Sequence, residues 1–172
     1  MISITPDEIK VWAQLVYQAC GIVLDAGKGY LLESRLGPLL RETASESFSE
    51  LLYKVKADAT RQLTRKVVDA MTTNETSFFR DSSPFELLQH KLLPELIDRR
   101  NRTARPGQPV PLRIWSAACS TGQEVYSIGI VIRELIGDSP QYQPQILGTD
   151  ISDQALKRAS YGVFTRMEME RG

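Results

Sequence analysis

RIWSAACSTGQEVYSIGI, Arg113 to Ile130, opens as a buried strand, closes as an apolar helix, and turns between them on small residues and a single glycine. A turn built this way lets backbone approach whatever it faces, and in open α/β sheets ligands settle beyond the carboxyl ends of the strands. A second strand, QILGTD, ends at Asp150 and precedes a helix over SDQALKRAS, capped by Ser152. The order strand, helix, strand, helix predicts two parallel strands joined by a right-handed crossover. Ser116–Gly122 and Thr149–Asp150 then share one mouth.

The residues at that mouth restrict the ligand. Ala118–Gln123 carries one glycine where a dinucleotide turn needs three, and the phosphate-loop pattern GxxxxGK[ST] is absent. Asp150, at the strand end, offers a carboxylate that can accept both hydroxyls of a ribose. A nucleoside without phosphates fits better than NAD, and S-adenosylmethionine is one, with an ammonium, a carboxylate and a positive sulfur. Glu124 gives a counter-charge that a phosphate ligand would tolerate poorly. It is equally well explained as a first-turn acid complementing the helix dipole, and taken alone it does not decide.

Upstream the chain reads as helices. Thr5-Pro6-Asp7-Glu8 supplies a cap, a first-turn proline and a capping-box glutamate, and Ile9, Trp12, Val16 and Ala19 follow at helical spacing until Gly21. Further helices are expected over Tyr30–Arg41, from Ser47 through SFSELLYKVKA, over RQLTRKVVDAM, and from Ser83-Pro84-Phe85-Glu86 to near Arg99. Between the last two, TTNETSFFRD (Thr72–Asp81) sets polar residues beside paired aromatics. At least one of Phe78 and Phe79 reads as a core residue of an interhelical loop, but packing does not explain Asn74, Thr76 and Arg80. RNRTARPGQPVP then marks a linker, rich in proline and polar residues.

Composition excludes several classes. Of 172 residues, 42% are hydrophobic and 24% charged, as in globular proteins, and Lys+Arg and Asp+Glu number 21 each, so no global field recruits nucleic acid or anionic lipid. No apolar run approaches the roughly 20 residues that span a bilayer, and MISITPDEIKVW lacks a signal-peptide layout. Cys20 and Cys119 read as thiols of a reducing compartment. The expectation is a cytoplasmic protein with no nucleic-acid ligand and no membrane insertion. Two parallel strands make a poor sheet, and a third is expected after YGVFTRMEMERG. The chain therefore reads as a fragment of a larger α/β domain, or as one whose exposed sheet edge pairs with a partner or a second copy.

NETSFFRD and RIWSAACSTGQEVYSIGI, followed by ILGTDIS and LKRASYGVF, resemble the CheR-type chemotaxis receptor methyltransferases along essentially the whole chain. The resemblance implies a helical amino-terminal domain over residues 1–100, a linker over 101–111, and over 112–172 the first β-α-β-α portion of a Rossmann-like domain, its sheet incomplete. It implies methyl transfer from S-adenosylmethionine, leaving S-adenosylhomocysteine, to glutamate side chains of methyl-accepting chemotaxis receptors. By position, Asn74, Thr76 and Arg80 would contact the cofactor from the helical side, Glu124 and Asp150 from the sheet side, and Arg80 would also position the reacting groups. The family's turn reads closer to AASTGEEPYS; here Cys119 replaces a small residue, Gln123 an acid and Val125 a proline, leaving the cofactor acid in place. The family continues with a small β-subdomain and further strands, so the chain alone is expected to be inactive or weakly binding. A methyltransferase of another substrate class and a non-enzymatic receptor- or nucleotide-binding adaptor are the alternatives.

Four smaller expectations remain. Lys54, Lys56, Arg61, Arg65 and Lys66 form either a face for an acidic receptor helix or a solvated helix surface. Cys119 reads as a packing residue rather than a nucleophile. His90 reads as an ordinary helix residue. Trp115 and Tyr126 read as core or pocket wall.

Overall fold

The computed structural model describes residues 2–170, which fold as two compact units. The first is the chain up to Thr73 with Ile151–Asp153; the second is Asn74–Asp150 with the chain from Gln154 onward. The division thus falls at Thr73/Asn74 and not near residue 100, where helical grammar gives way to strands. The segment Asn74–Asn101 belongs to the second unit because its side chains pack there.

In the first unit, α1 (Pro6–Cys20) starts on the expected capping box: Thr5 Oγ1 accepts from the Glu8 amide while Glu8 reaches back to the Thr5 amide. Gly21, at φ 74°, ends the helix in the left-handed region that glycine enters without a Cβ clash. A short 3-10 turn, Ala26–Lys28, leads into α2 (Gly29–Glu42), then α3 (Phe48–Ala57), capped by Ser47, and α4 (Gln62–Met71). Trp12, Val16, Leu32, Leu36, Phe48, Leu51 and Val67 fill the core, and the Trp12 indole N–H donates to the Phe48 carbonyl at 3.1 Å. Glu8 Oε1 also takes the Ser49 amide and hydroxyl, tying α1 to α3. Arg35 donates to the Met71 and Thr72 carbonyls, satisfying acceptors that the end of α4 leaves open. Lys54 pairs with Glu50, Lys66 with Glu42 and Arg65 with Asp153, so three of the five candidate receptor-facing cations are already neutralised by neighbours.

The second unit begins with a helix in three parts: α5 (Ser83–Leu87), a π turn over Leu88–Leu92, and α6 (Leu93–Asn101). The Leu93 N–H reaches the Leu88 carbonyl five residues back, and Pro94 has no N–H with which to restore the four-residue pattern. The expected side-chain cap at Ser83 is not formed. Ser82 stands at the cap, and its backbone carbonyl takes the Phe85 and Glu86 amides.

β1 (Val110–Ala117) pairs in parallel with β2 (Tyr142–Thr149), from Val110 opposite Tyr142 to Ala117 opposite Thr149, with α7 (Gln123–Ile136) connecting them. α8 (Asp153–Tyr161) starts directly after Ser152. α9 (Arg166–Met169) then follows, opened by a Thr165–Glu168 capping box. The sheet among the described residues is thus two-stranded. One face packs Ile114 and Ile146 with Leu93, Ile128, Val131 and Ile132. Trp115, read as a core or pocket residue, lies on the opposite face, 69% exposed beside Leu147, its indole donating to Thr149 Oγ1. Alternation along β1 dictates this: if Ile114 and Ser116 point inward, Trp115 points out. No described helix is long and apolar enough to cross a membrane.

Gly148 marks where β2 passes beneath the turn and α7. A Cβ there would sit 2.9 Å from Val125 Cγ2 and 3.0 Å from Cys119 Sγ. Gly148→Ala is expected to lower stability by about 1–3 kcal/mol, the cost of overpacking. Urea denaturation followed by far-UV circular dichroism, with an unchanged midpoint as the contrary result, checks this.

Candidate functional site

The turn from β1 to α7 is held by the end of β2. The Cys119 amide donates to the Thr149 carbonyl at 2.9 Å, and the Ser120 amide to Asp150 Oδ2 at 2.8 Å. Ala118 (φ 61°), Ser120 (φ 50°) and Gly122 (φ 100°) all take positive φ, and only the last is glycine. Strain in two residues with side chains persists only where surroundings over-determine it, and such strain concentrates at ligand sites. Two amides that might have cradled a phosphate are thereby spent, one of them on a carboxylate. The turn is chemically unsuited to a pyrophosphate and suited to a ligand bearing positive charge and hydroxyls.

Residues Asn74–Arg80 meet the same turn. The Ser120 hydroxyl donates to the Asn74 carbonyl at 3.0 Å, and the Phe79 amide donates to the hydroxyl of buried Ser127 on α7 at 2.9 Å. Both aromatics of the segment pack: Phe78 is edge-on to Phe164, and Phe79 to Phe85. With Phe79 (φ 48°) and Asp81 (φ 55°) both left-handed, Arg80 is turned outward, its Nη1 donating to the Glu75 carbonyl at 2.8 Å.

Two adjoining cavities result, sharing Glu75, Thr76, Ser77 and Arg80. One, of about 450 Å³, adds Ala118, Ser120 and Glu124 together with an apolar wall of Pro84, Phe85, Leu88, Leu92 and Ile128. The other, of about 690 Å³, adds Asn74, Thr121, Gln123, Arg158 and Glu168. Of the five residues singled out from the sequence, Thr76 and Arg80 line both cavities, Glu124 the first and Asn74 the second. Asp150 lines neither directly but is joined to the first through Ser120. Glu124 is more than a dipole-complementing acid, because its Oε1 accepts the buried Ser116 hydroxyl at 2.7 Å, which fixes its carboxylate beside the turn.

Cys119 is buried, and burial first, then the Asp150 charge, push its thiol pKa up. A thiol so placed is a poor nucleophile, in keeping with a packing role. Tyr126 leans on Phe164 and lines neither cavity. Sequence reasoning set Ser116 at the mouth but missed that its hydroxyl holds the Glu124 carboxylate. It also missed Arg158 and Glu168.

Comparison with known proteins bears on the family and on the two-unit organisation. Residues 74–171 match the family model described as CheR methyltransferase, SAM binding domain, and residues 7–72 match its all-alpha domain. Both bounds agree with the division at Thr73/Asn74. A chemotaxis protein methyltransferase of Vibrio parahaemolyticus is 41% identical over 99% of this chain and 60% of its own length. Chemotaxis protein methyltransferase 1 of Vibrio cholerae is 40% identical (99% and 60%), and its namesake in Pseudomonas aeruginosa 41% (96% and 58%). The chain thus spans about 60% of the length of the curated relatives it matches. On its helical unit, its α/β unit with the strained turn, and these matches, the chain belongs to the CheR methyltransferase family.

Proposed function

We propose that the protein carrying this chain transfers a methyl group from S-adenosylmethionine to glutamate side chains of chemoreceptors, working in the cytoplasm. The observation that carries this reading is the smaller cavity, where a cation (Arg80), a fixed acid (Glu124) and the Asp150-anchored turn meet beside an apolar wall. These residues fit the nucleoside group by group. Glu124 suits the ammonium, Asp150 the ribose hydroxyls, and Arg80 a carboxylate, with Asn74 and Thr76 supplying further hydrogen bonds. Phe85, Leu88, Leu92 and Ile128 suit its uncharged body.

When bound, S-adenosylmethionine supplies a methyl carbon activated by positive sulfur. The acceptor glutamate is ionised at neutral pH and is itself the nucleophile, so the protein need supply no base. The work left to this chain is orientation and exclusion of water. Arg80, common to both cavities, is placed to steady the acceptor carboxylate against the cofactor. The helical unit is the receptor-facing part in this reading.

Incubation of the intact protein with tritiated cofactor and receptor-bearing membranes is expected to put base-labile label on the receptor. Cofactor binding without transfer would instead assign the adaptor role, and label on a small molecule or RNA another substrate class.

Two substitutions probe the roles separately. Asp150→Ala is expected to weaken S-adenosylhomocysteine binding by about 1.5–3 kcal/mol, the range for hydrogen bonds to a charged group, as read by calorimetric titration. Arg80→Ala is expected to reduce turnover more than cofactor affinity; equal losses in both would remove its positioning role.

A further inference from the structure

Beyond Asn74, Thr76 and Arg80, which the cofactor reading also uses, the larger cavity offers nothing suited to a nucleoside's uncharged body. Every residue that lines it is polar or charged: Asn74, Glu75, Thr76, Ser77 and Arg80 on one segment, with Thr121, Gln123, Arg158 and Glu168. A purine or an alkyl chain would find no apolar wall there, whereas a small carboxylate would find two guanidinium groups and several hydroxyls.

The second guanidinium is held in an unusual way. Arg158, on α8, donates Nη2 to Glu168 Oε1. The other oxygen of Glu168 accepts the Thr165 amide at 2.8 Å and its hydroxyl at 2.9 Å, closing the capping box of α9. Those two Thr165 bonds, followed by Arg158, hold the Glu168 carboxyl below its usual range, so it is ionised at neutral pH. Glu75 and Glu168 together balance Arg80 and Arg158, so the lining carries no net formal charge. An arginine can share its planar fork between two carboxylates, which the point charge of a lysine does less well.

Building on the methyltransferase reading, we propose that this cavity receives the acceptor glutamate side chain, with Arg158 as a substrate-binding residue and Glu168 as the internal carboxylate competing for it. Arg80, in the wall shared with the nucleoside cavity, lies where the acceptor carboxylate passes from one to the other. The pair sets acceptor affinity and leaves cofactor affinity alone.

The test uses the intact protein with receptor-bearing membranes for kinetics and S-adenosylhomocysteine for calorimetry. Arg158→Ala is expected to raise the receptor KM about tenfold, as loss of one charged hydrogen bond does, with cofactor affinity within about twofold of wild type. Arg158→Lys should fall between. Glu168→Gln, which preserves the capping box, should act in the opposite direction and lower the receptor KM about two- to threefold. A merely structural ion pair would give both substitutions the same sign. Equal rises in KM, no change in either, or parallel loss of cofactor affinity overturns the proposal. A wild-type protein that labels no receptor overturns the methyltransferase reading and this proposal with it, whereas normal labelling with unaltered variants overturns this proposal alone.

Discussion

Two amide hydrogen bonds organise the α/β unit: Cys119 to the Thr149 carbonyl and Ser120 to the Asp150 carboxylate. They lash the turn after β1 to the end of β2, and a bond to a charged acceptor contributes about 1.5–3 kcal/mol, enough to hold one or two residues in the left-handed region. With the turn fixed, the Ser120 hydroxyl meets the Asn74 carbonyl and Ser116 meets Glu124. The cavities are what remains between these fixed points. Gly148 belongs to the same constraint, since only a residue without a Cβ lets β2 come this close to Cys119 and Val125.

Much of this was legible in the residues. The Thr5–Glu8 and Ser47 caps, the stop at Gly21, the parallel β-α-β order and the convergence of both strand ends on one mouth all follow from local chemistry, and the structure shows them. What stayed hidden depended on contacts between distant parts of the chain. The helical period of α5 and α6 resembles that of α1–α4, so nothing local says that Asn74–Asn101 packs with strands. That is decided by Phe79 reaching Ser127 and by Phe78 meeting Phe164. The side-chain cap expected at Ser83 is absent because Ser83 is already the first helical residue and the Ser82 carbonyl takes the Phe85 and Glu86 amides. Trp115 looked like core by composition, and only the register of its neighbours turns it outward.

The candidate site divides in the same way. Acids at a strand end and at a helix start stand out once the strand order is known, and they direct attention to Glu124 and Asp150. Hydroxyls that orient those acids carry no local signature, and Ser116 is an example. Arg158 and Glu168 are harder still, since a basic helix residue and a capping-box acid already have sufficient local explanations. Their second employment, as the wall of a polar cavity, emerges only when α8 and α9 are seen in place.

The alternation that turns Trp115 outward has an optical consequence. The sequence contains two tryptophans; Trp12 is fully enclosed in the first unit, and Trp115 lies wet on the sheet of the second. Indole emission moves to longer wavelength with hydration, so each unit carries a fluorophore of its own colour, and one emission spectrum reports on the two halves separately.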